Sequence, residues 1–213
     1  MDKIKTTAAG LAALLAFSLA PPALAQNNAA PAARAMRTPP ETFIAQNITQ
    51  SLAILNDTTL SPAQRSQQFE ALLLSLTDTR RIALFALGRH VQTAPETDRE
   101  AFVAAFQDYS VAVYRSYLGK FSGQTLTVTG STERAPGDFI VSSTMTGGQN
   151  SAPLVVQFRV RTDAGKPVVT DLGIMGIWLA ITQRDDFAAY LGAHNGSVPA
   201  LTAYIRDVTA RYR

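Results

Sequence analysis

The sequence predicts an α+β fold: a curved antiparallel sheet of about four strands with helices packed on one face. Between residues 41 and 118 apolar side chains recur every three to four positions, which is the period of amphipathic helices. Between residues 125 and 174 they recur at every second position, which is the period of half-buried strands. The helical period returns after residue 179. Helices and strands that occur in separate runs are typical of α+β domains.

The first 25 residues have the three parts of a cleaved secretory signal peptide. Lys3 and Lys5 give a positive start, residues 11–20 (LAALLAFSLA) are uncharged and apolar, and residues 23–25 read Ala-Leu-Ala. The apolar run is shorter than the roughly 20 residues that cross a bilayer as a helix, although an uncleaved anchor is the alternative. We therefore expect export across a membrane and no stable membrane anchor.

The composition limits the chemistry available to the chain. It contains no cysteine, which excludes disulfides, thiol catalysis and thiolate metal sites. Its two histidines, His90 and His194, have no carboxylates at ligand spacing, so we expect neither a metal nor a cofactor. The formal charge of +3 is small and dispersed, which argues against nucleic acid as a partner.

The chain divides into a signal peptide (1–25), a flexible linker (26–40) and one α+β domain (41–213). The linker, QNNAAPAARAMRTPP, has too little apolar surface to offset the entropy of ordering it. The remaining residues are numerous enough to bury a core of their own.

Start and stop signals set the bounds of the predicted helices. Ser61 and Pro62 supply an N-cap and a first-turn proline for a helix that ends at Leu76. An acidic first turn at Glu96 begins the longest helix, which Gly119 ends. The other predicted helices cover 41–56, 79–88, a region that includes 179–191, and 198–212.

The predicted strands are joined by short turns. Pro136-Gly137 and Ala164-Gly165 lie in two of these turns, where the backbone reverses. The strands contain residues 125–129, 139–143, 154–161 and 168–174.

The sequence contains no recognisable catalytic motif. It lacks G-x-S-x-G, a phosphate-binding loop, H-E-x-x-H and paired carboxylates at an informative spacing. We therefore expect that the chain is not an enzyme. Two alternatives stay open: a small-ligand enzyme that uses Asp171 or a tyrosine as acid or base, and an adaptor that binds only proteins.

The last predicted strand and the helix after it carry a family pattern. The strand ends near Asp171, the turn contains Gly176, and the helix contains Arg184 and Phe187 at an Arg-x-x-Phe spacing. This pattern resembles the MlaC/toluene-tolerance family of periplasmic lipid-binding proteins. The positions that depart from it are Met175 and Trp178, where the family often has glutamate and serine.

The long helix adds to the resemblance. Phe102 and Phe106, followed by Tyr109, Tyr114 and Tyr117, are similar to the Phe-x-x-x-Phe pair and the tyrosines of that family. The resemblance covers nearly all of the predicted domain.

The resemblance implies a soluble periplasmic carrier whose sheet and helices enclose a lipid cavity. It implies a phospholipid with buried acyl chains and an outer head group. It implies that the lipid passes between an outer-membrane lipoprotein–porin complex and an inner-membrane MCE-domain ABC transporter, in maintenance of outer-membrane lipid asymmetry. A branch of the family is associated with hopanoids, so a hopanoid is an alternative ligand.

The candidate lipid-binding residues are apolar positions on the long helix, on the inner face of the sheet and in the turn that follows. They are Phe102, Phe106, Tyr109, Val113, Tyr117, Leu126, Val141, Val156, Phe158, Ile174 and Trp178. We expect a void between the helix and the sheet; the alternative is that the two apolar faces touch as an ordinary core. Arg80 and Arg81 oppose the dipole at a helix start, which makes them candidates for partner docking or ordinary surface residues.

Overall fold

The computed structural model of the protein describes residues 37–118, 123–148, 152–162 and 165–212; for residues 117 and 118 it describes the backbone only. The predicted signal peptide and the linker as far as residue 36 lie outside the described residues. So do the predicted helix stop at Gly119 and the residue Ala164 in a predicted turn.

The described residues form an α+β fold, as the sequence predicts. The elements that precede the sheet are α1 (Pro39–Asn56), α2 (Pro62–Leu76), α3 (Thr79–Ala86), α4 (His90–Thr93) and α5 (Glu96–Leu118). The strands are β1 (Thr125–Ala135), β2 (Asp138–Thr146), β3 (Leu154–Arg161), β4 (Val168–Ile174) and β5 (Ile177–Trp178). Two helices follow them, α6 (Leu179–Ala193) and α7 (Val198–Ala210).

Capping side chains fix the start of the helices. The Ser61 hydroxyl accepts a hydrogen bond from the backbone N–H of Gln64 at 3.2 Å, and the Gln64 side chain accepts one from the Ser61 N–H at 2.9 Å. This reciprocal capping box begins α2 where the sequence predicts it. Thr38 caps α1, which begins at Pro39, two residues before the predicted start of the domain.

The sheet is antiparallel throughout, with the strands in the order β1-β2-β3-β4-β5. It has five strands and not about four, because the two residues of β5 pair with the end of β4. Pro136 and Gly137 form the turn between β1 and β2, where the φ of 74° at Gly137 suits a residue without a Cβ atom.

The buried apolar side chains form two separate clusters. The helical cluster joins α3, α5, α6 and α7 and has Phe102, Phe106 and Phe187 at its centre. The sheet cluster joins Ile44 of α1 to one face of the sheet and contains Val128, Val141 and Val160. A single domain usually has one contiguous core. The interior of this protein is therefore divided, and the space between the two clusters is the first place to look for a ligand site.

Candidate functional site

A cleft between α2 and α5 reaches into the interior of the protein. It contains a cavity of about 10 Å³, which is close to the volume that a single water needs. We call it the α2–α5 cleft, and its lining residues are Ser66, Phe69, Glu70, Leu73, Leu74, Thr77, Thr79, Ser110, Val111, Tyr114 and Arg115. The apolar members of this set are only half-buried, so they form part of neither cluster.

The helix α2 is loosely attached along most of its length. Of its fifteen residues only Leu72 is buried, while Phe69 and Leu73 are half-buried. Its C-terminal end is held more firmly, because Thr77 pairs with Val169 as an isolated bridge to the sheet. The N-terminal part of α2 therefore buries little apolar surface against its neighbours.

A groove on the outer side of α2 leads to the cleft. Its volume is about 530 Å³, and its lining residues are Ala63, Ser66, Gln67, Glu70, Ala71, Leu74 and Arg115. Four residues line both the groove and the cavity: Ser66, Glu70, Leu74 and Arg115. Glu70 on α2 and Arg115 on α5 form an ion pair at this boundary. The pair thus spans the mouth of the cleft.

The inner end of the cleft approaches β4. Burial raises the pKa of the Tyr114 hydroxyl, and the charge of Asp171 on β4 raises it further. Tyr114 is half-buried and lines the cavity. The effect of the Asp171 charge on the pKa of its hydroxyl shows that this part of the cleft lies near β4.

Asp171 connects the sheet to α6. One oxygen of its carboxylate accepts hydrogen bonds from the backbone N–H of Leu172 at 2.8 Å and of Ala180 at 2.9 Å. Trp178, at the N-cap position of α6, makes no side-chain capping bond, so Asp171 caps this helix from the neighbouring strand. Burial raises the pKa of Asp171, and the two backbone N–H groups and Arg159 oppose that shift.

The prediction that Phe102 and Phe106 face the sheet across a void is wrong. Both are buried in the helical cluster, where their rings lie 5.7 and 6.3 Å from the ring of Phe187 on α6. The long helix presents its phenylalanine face to α6 and α7, whose buried residues Phe187, Leu191 and Leu201 belong to the same cluster. The geometry gives these two residues no place in the cleft.

The sheet residues on the candidate list do share one face. Antiparallel partners project to the same side of a sheet, and Val141 pairs with Phe158, while Val156 pairs with Ile174. Leu126 follows the same alternation on β1. This face packs against α1 and not against α5, since α1 carries the Ile44 of the sheet cluster.

The remaining candidates are dispersed. The Tyr109 hydroxyl donates to the side-chain oxygen of Gln183 at 3.2 Å, which places Tyr109 towards α6. Val113 is half-buried on α5, and the side chain of Tyr117 lies outside the described part. Trp178 pairs with Gly173, on the face opposite to Phe158, and a Cβ atom at Gly173 would lie 3.2 Å from its ring. Their contact with lipid stays a prediction.

The structure gives Arg80 and Arg81 local roles. Arg80 donates two hydrogen bonds of 2.6 Å to the carboxylate of Glu100 on α5, which supplies a reason for a cation at the start of α3. The backbone N–H of Arg81 donates to the capping carboxylate of Asp78 at 2.9 Å. Their part in partner docking stays a prediction.

The sequence interpretation missed the cleft residues Glu70, Leu73, Tyr114 and Arg115. One signal was available in the sequence of α2. Most of its apolar residues form one stripe along the helix, but Leu74 is an apolar residue outside that stripe. That excess surface indicates a second apolar contact besides the core.

The described residues contain no cluster of His, Asp and Glu side chains that could hold a metal ion. None of the described helices is both long enough and apolar enough to span a bilayer.

Comparisons with known proteins agree with the resemblance seen in the sequence. A search of curated proteins gives no match. The fold matches the crystal structure of a phospholipid-binding protein from Ralstonia solanacearum in complex with a phospholipid, with a TM-score of 0.70 and 21% identity. The match covers 81% of this chain and 97% of that one. The model of the MlaC protein family matches residues 45–207, and this chain therefore belongs to the MlaC family.

Proposed function

We propose that this protein binds a phospholipid with its acyl chains in the α2–α5 cleft and carries it through the periplasm. The carrier passes lipid between an outer-membrane lipoprotein–porin complex and an inner-membrane MCE-domain ABC transporter, which maintains the lipid asymmetry of the outer membrane. It performs no chemical reaction on the lipid.

The observation that carries the proposal is the divided core. Phe69, Leu73 and Val111 line the α2–α5 cleft, are only half-buried and belong to neither of the two buried clusters. Apolar side chains left half-buried in the interior have surface available to a ligand, and acyl chains are the ligand that matches this surface.

The energetics of lipid in water require a closed apolar site. A diacyl lipid carries on the order of 30 methylene groups, and burying each one is worth about 0.8 kcal/mol. Exposure of both chains to water therefore costs roughly 20 kcal/mol or more. If the site of the carrier is nearly as apolar as a bilayer, the free energy of moving the lipid between membrane and carrier is close to zero. The partner complexes then determine the direction of transfer.

Lipid entry requires α2 to move. A cavity of about 10 Å³ holds at most one water, so it is too small for an acyl chain in this conformation. The outer groove, at about 530 Å³, has the volume of typical ligand sites, which run from about 300 to 1,000 Å³. Movement of α2 about its attachment at Thr77 and Val169 would join the groove to the cavity.

Family membership and the fold comparison support the ligand class. The Ralstonia protein, which has the same fold, is in complex with a phospholipid. The membrane complexes at either end of the transfer rest on the family resemblance.

The test is to purify the chain without detergent, extract it with organic solvent under denaturing conditions and identify the extract by mass spectrometry. We expect about one phospholipid per protein. Recovery of a hopanoid would change the ligand class, and an empty extract from protein that also fails to take up phospholipid from vesicles would contradict the proposal.

A matched pair of variants ties binding to the cleft. Leu73→Gln places a polar group in the lining, whereas Val155→Gln places the same polar group on β3 at a site that is 46% exposed and outside the lining. We expect the first variant to lose bound lipid and the second to retain it.

A further inference from the structure

The ion pair between Arg115 and Glu70 lies at the mouth of the α2–α5 cleft, where the head group of a bound lipid would lie. Arg115 and Glu70 each line both the outer groove and the inner cavity. Their side chains remain 53% and 25% exposed, so both are accessible from solvent. Arg115 is the one cationic side chain among the described residues that line the cleft and the groove.

Resting on the proposed function, we propose that Arg115 binds the phosphate of the lipid head group, and that Glu70 occupies the guanidinium only while the carrier is empty. An acyl chain that enters the cavity past Leu74 leaves its head group at the boundary where this pair lies. The guanidinium presents parallel N–H donors that match two oxygens of a phosphate.

Exchange of the carboxylate for a phosphate is energetically accessible. Ion pairs between exposed side chains contribute little to stability, because water already solvates both charges well. A phosphate held in place by buried acyl chains competes at a high effective concentration, whereas Glu70 on α2 moves away as α2 opens. Ser66 and Gln67 line the groove beside the ion pair and add neutral hydrogen-bond donors for the bound head group.

The ion pair also couples lipid binding to the position of α2. In this structure Glu70 ties α2 to α5 across the mouth of the cleft. Once a phosphate takes the place of Glu70, that tie is released, and α2 can stay displaced from α5 around the acyl chains. The same arginine therefore serves both states, and the charge of the ligand selects between them.

The test compares two ligands with identical acyl chains, phosphatidylglycerol and diacylglycerol, of which only the first carries a phosphate, in its phosphoglycerol head group. Lipid-free protein is incubated with vesicles that contain either lipid, and the lipid retained per protein is counted by native mass spectrometry. We expect Arg115→Gln to lower retention of phosphatidylglycerol about tenfold, as for loss of a charge-assisted hydrogen bond, and to leave diacylglycerol unchanged.

Three variants complete the design. Arg80→Gln is the matched control, since it also removes an exposed interhelical ion pair but lies outside the cleft, and it should retain both lipids. Glu70→Gln removes the competitor and should raise phosphatidylglycerol retention. Arg115→Lys keeps the charge without the bidentate geometry and should retain an intermediate amount.

The outcomes separate this inference from the proposed function. Equal loss of both lipids in Arg115→Gln, or no loss of either, would overturn the phosphate role while lipid carriage stands. Wild-type protein that retains neither lipid would overturn the proposed function itself. A thermal shift caused by inorganic phosphate alone, which Arg115→Gln abolishes while phosphatidylglycerol retention is unchanged, would assign the site to a free anion and overturn the head-group assignment.

Discussion

Asp171 offers a quantitative test of how the sheet positions α6. Replacement with alanine removes both hydrogen bonds that its carboxylate accepts, from Leu172 and Ala180, and leaves the N-terminus of α6 without a side-chain cap. Loss of a capping side chain costs roughly 0.5–2 kcal/mol, and an unsatisfied buried N–H costs roughly 1–3 kcal/mol. We therefore expect Asp171→Ala to lower the free energy of unfolding by about 2 kcal/mol.

The asparagine variant separates hydrogen bonding from charge. Asp171→Asn keeps an oxygen that can accept both bonds, so it should cost less than the alanine variant. Burial raises the pKa of Asp171 above 3.8, which means that the native state holds its proton more tightly than the unfolded state. The wild type must therefore lose stability relative to Asp171→Asn as pH rises from 3.8 through the raised pKa, and the difference must then level off.

Chemical denaturation at several pH values measures these differences, and thermal unfolding checks them. For a domain of this size about 2 kcal/mol corresponds to a fall in Tm of roughly 4–8 °C. Equal stabilities for the alanine and asparagine variants, or an alanine variant as stable as the wild type, would refute the capping role.

Three further perturbations test other parts of the structure. Phe187→Ala should lower the free energy of unfolding by about 3–5 kcal/mol in urea denaturation, because it empties the centre of the helical cluster where two phenylalanine rings meet Phe187. Asp138→Asn should flatten the loss of stability below pH 3.8 in acid titrations followed by circular dichroism, because hydrogen bonds from Arg159 hold the pKa of Asp138 below its ordinary value. Leu73→Gln should lower phospholipid bound per protein in a phosphorus assay while changing Tm little, since Leu73 is only half-buried.

Local signals in the sequence correctly predicted the features that depend only on neighbouring residues. The Ser61 capping box and the acidic start of the long helix at Glu96 depend on neighbouring residues, and both helices begin where predicted. The alternation along β2 and β3 likewise places Val141 and Phe158 on one face. The two-residue strand β5 and the four-residue helix α4 are too short for a period to show.

The sequence did not predict which secondary-structure elements pack against each other. Periodicity shows that Phe102 and Phe106 lie on an apolar helix face, but it does not show which apolar face meets them. In the structure α6 and α7 meet that face, and the sheet packs on α1. The cleft residues have the same limitation, because Glu70 and Arg115 lie 45 positions apart and meet only through the packing of two helices.

The position of bound lipid is the measurement that tests the account most directly. The chain has no cysteine, so a photo-reactive probe attached to a single introduced cysteine reports from one place. With the probe at Leu73→Cys, irradiation in the presence of phosphatidylglycerol vesicles should attach lipid to the protein in about a one-to-one ratio. With the probe at Val155→Cys, an exposed position on β3 outside the cleft lining, it should attach almost none. Attachment at Val155→Cys equal to or greater than that at Leu73→Cys would contradict a lipid site in the α2–α5 cleft.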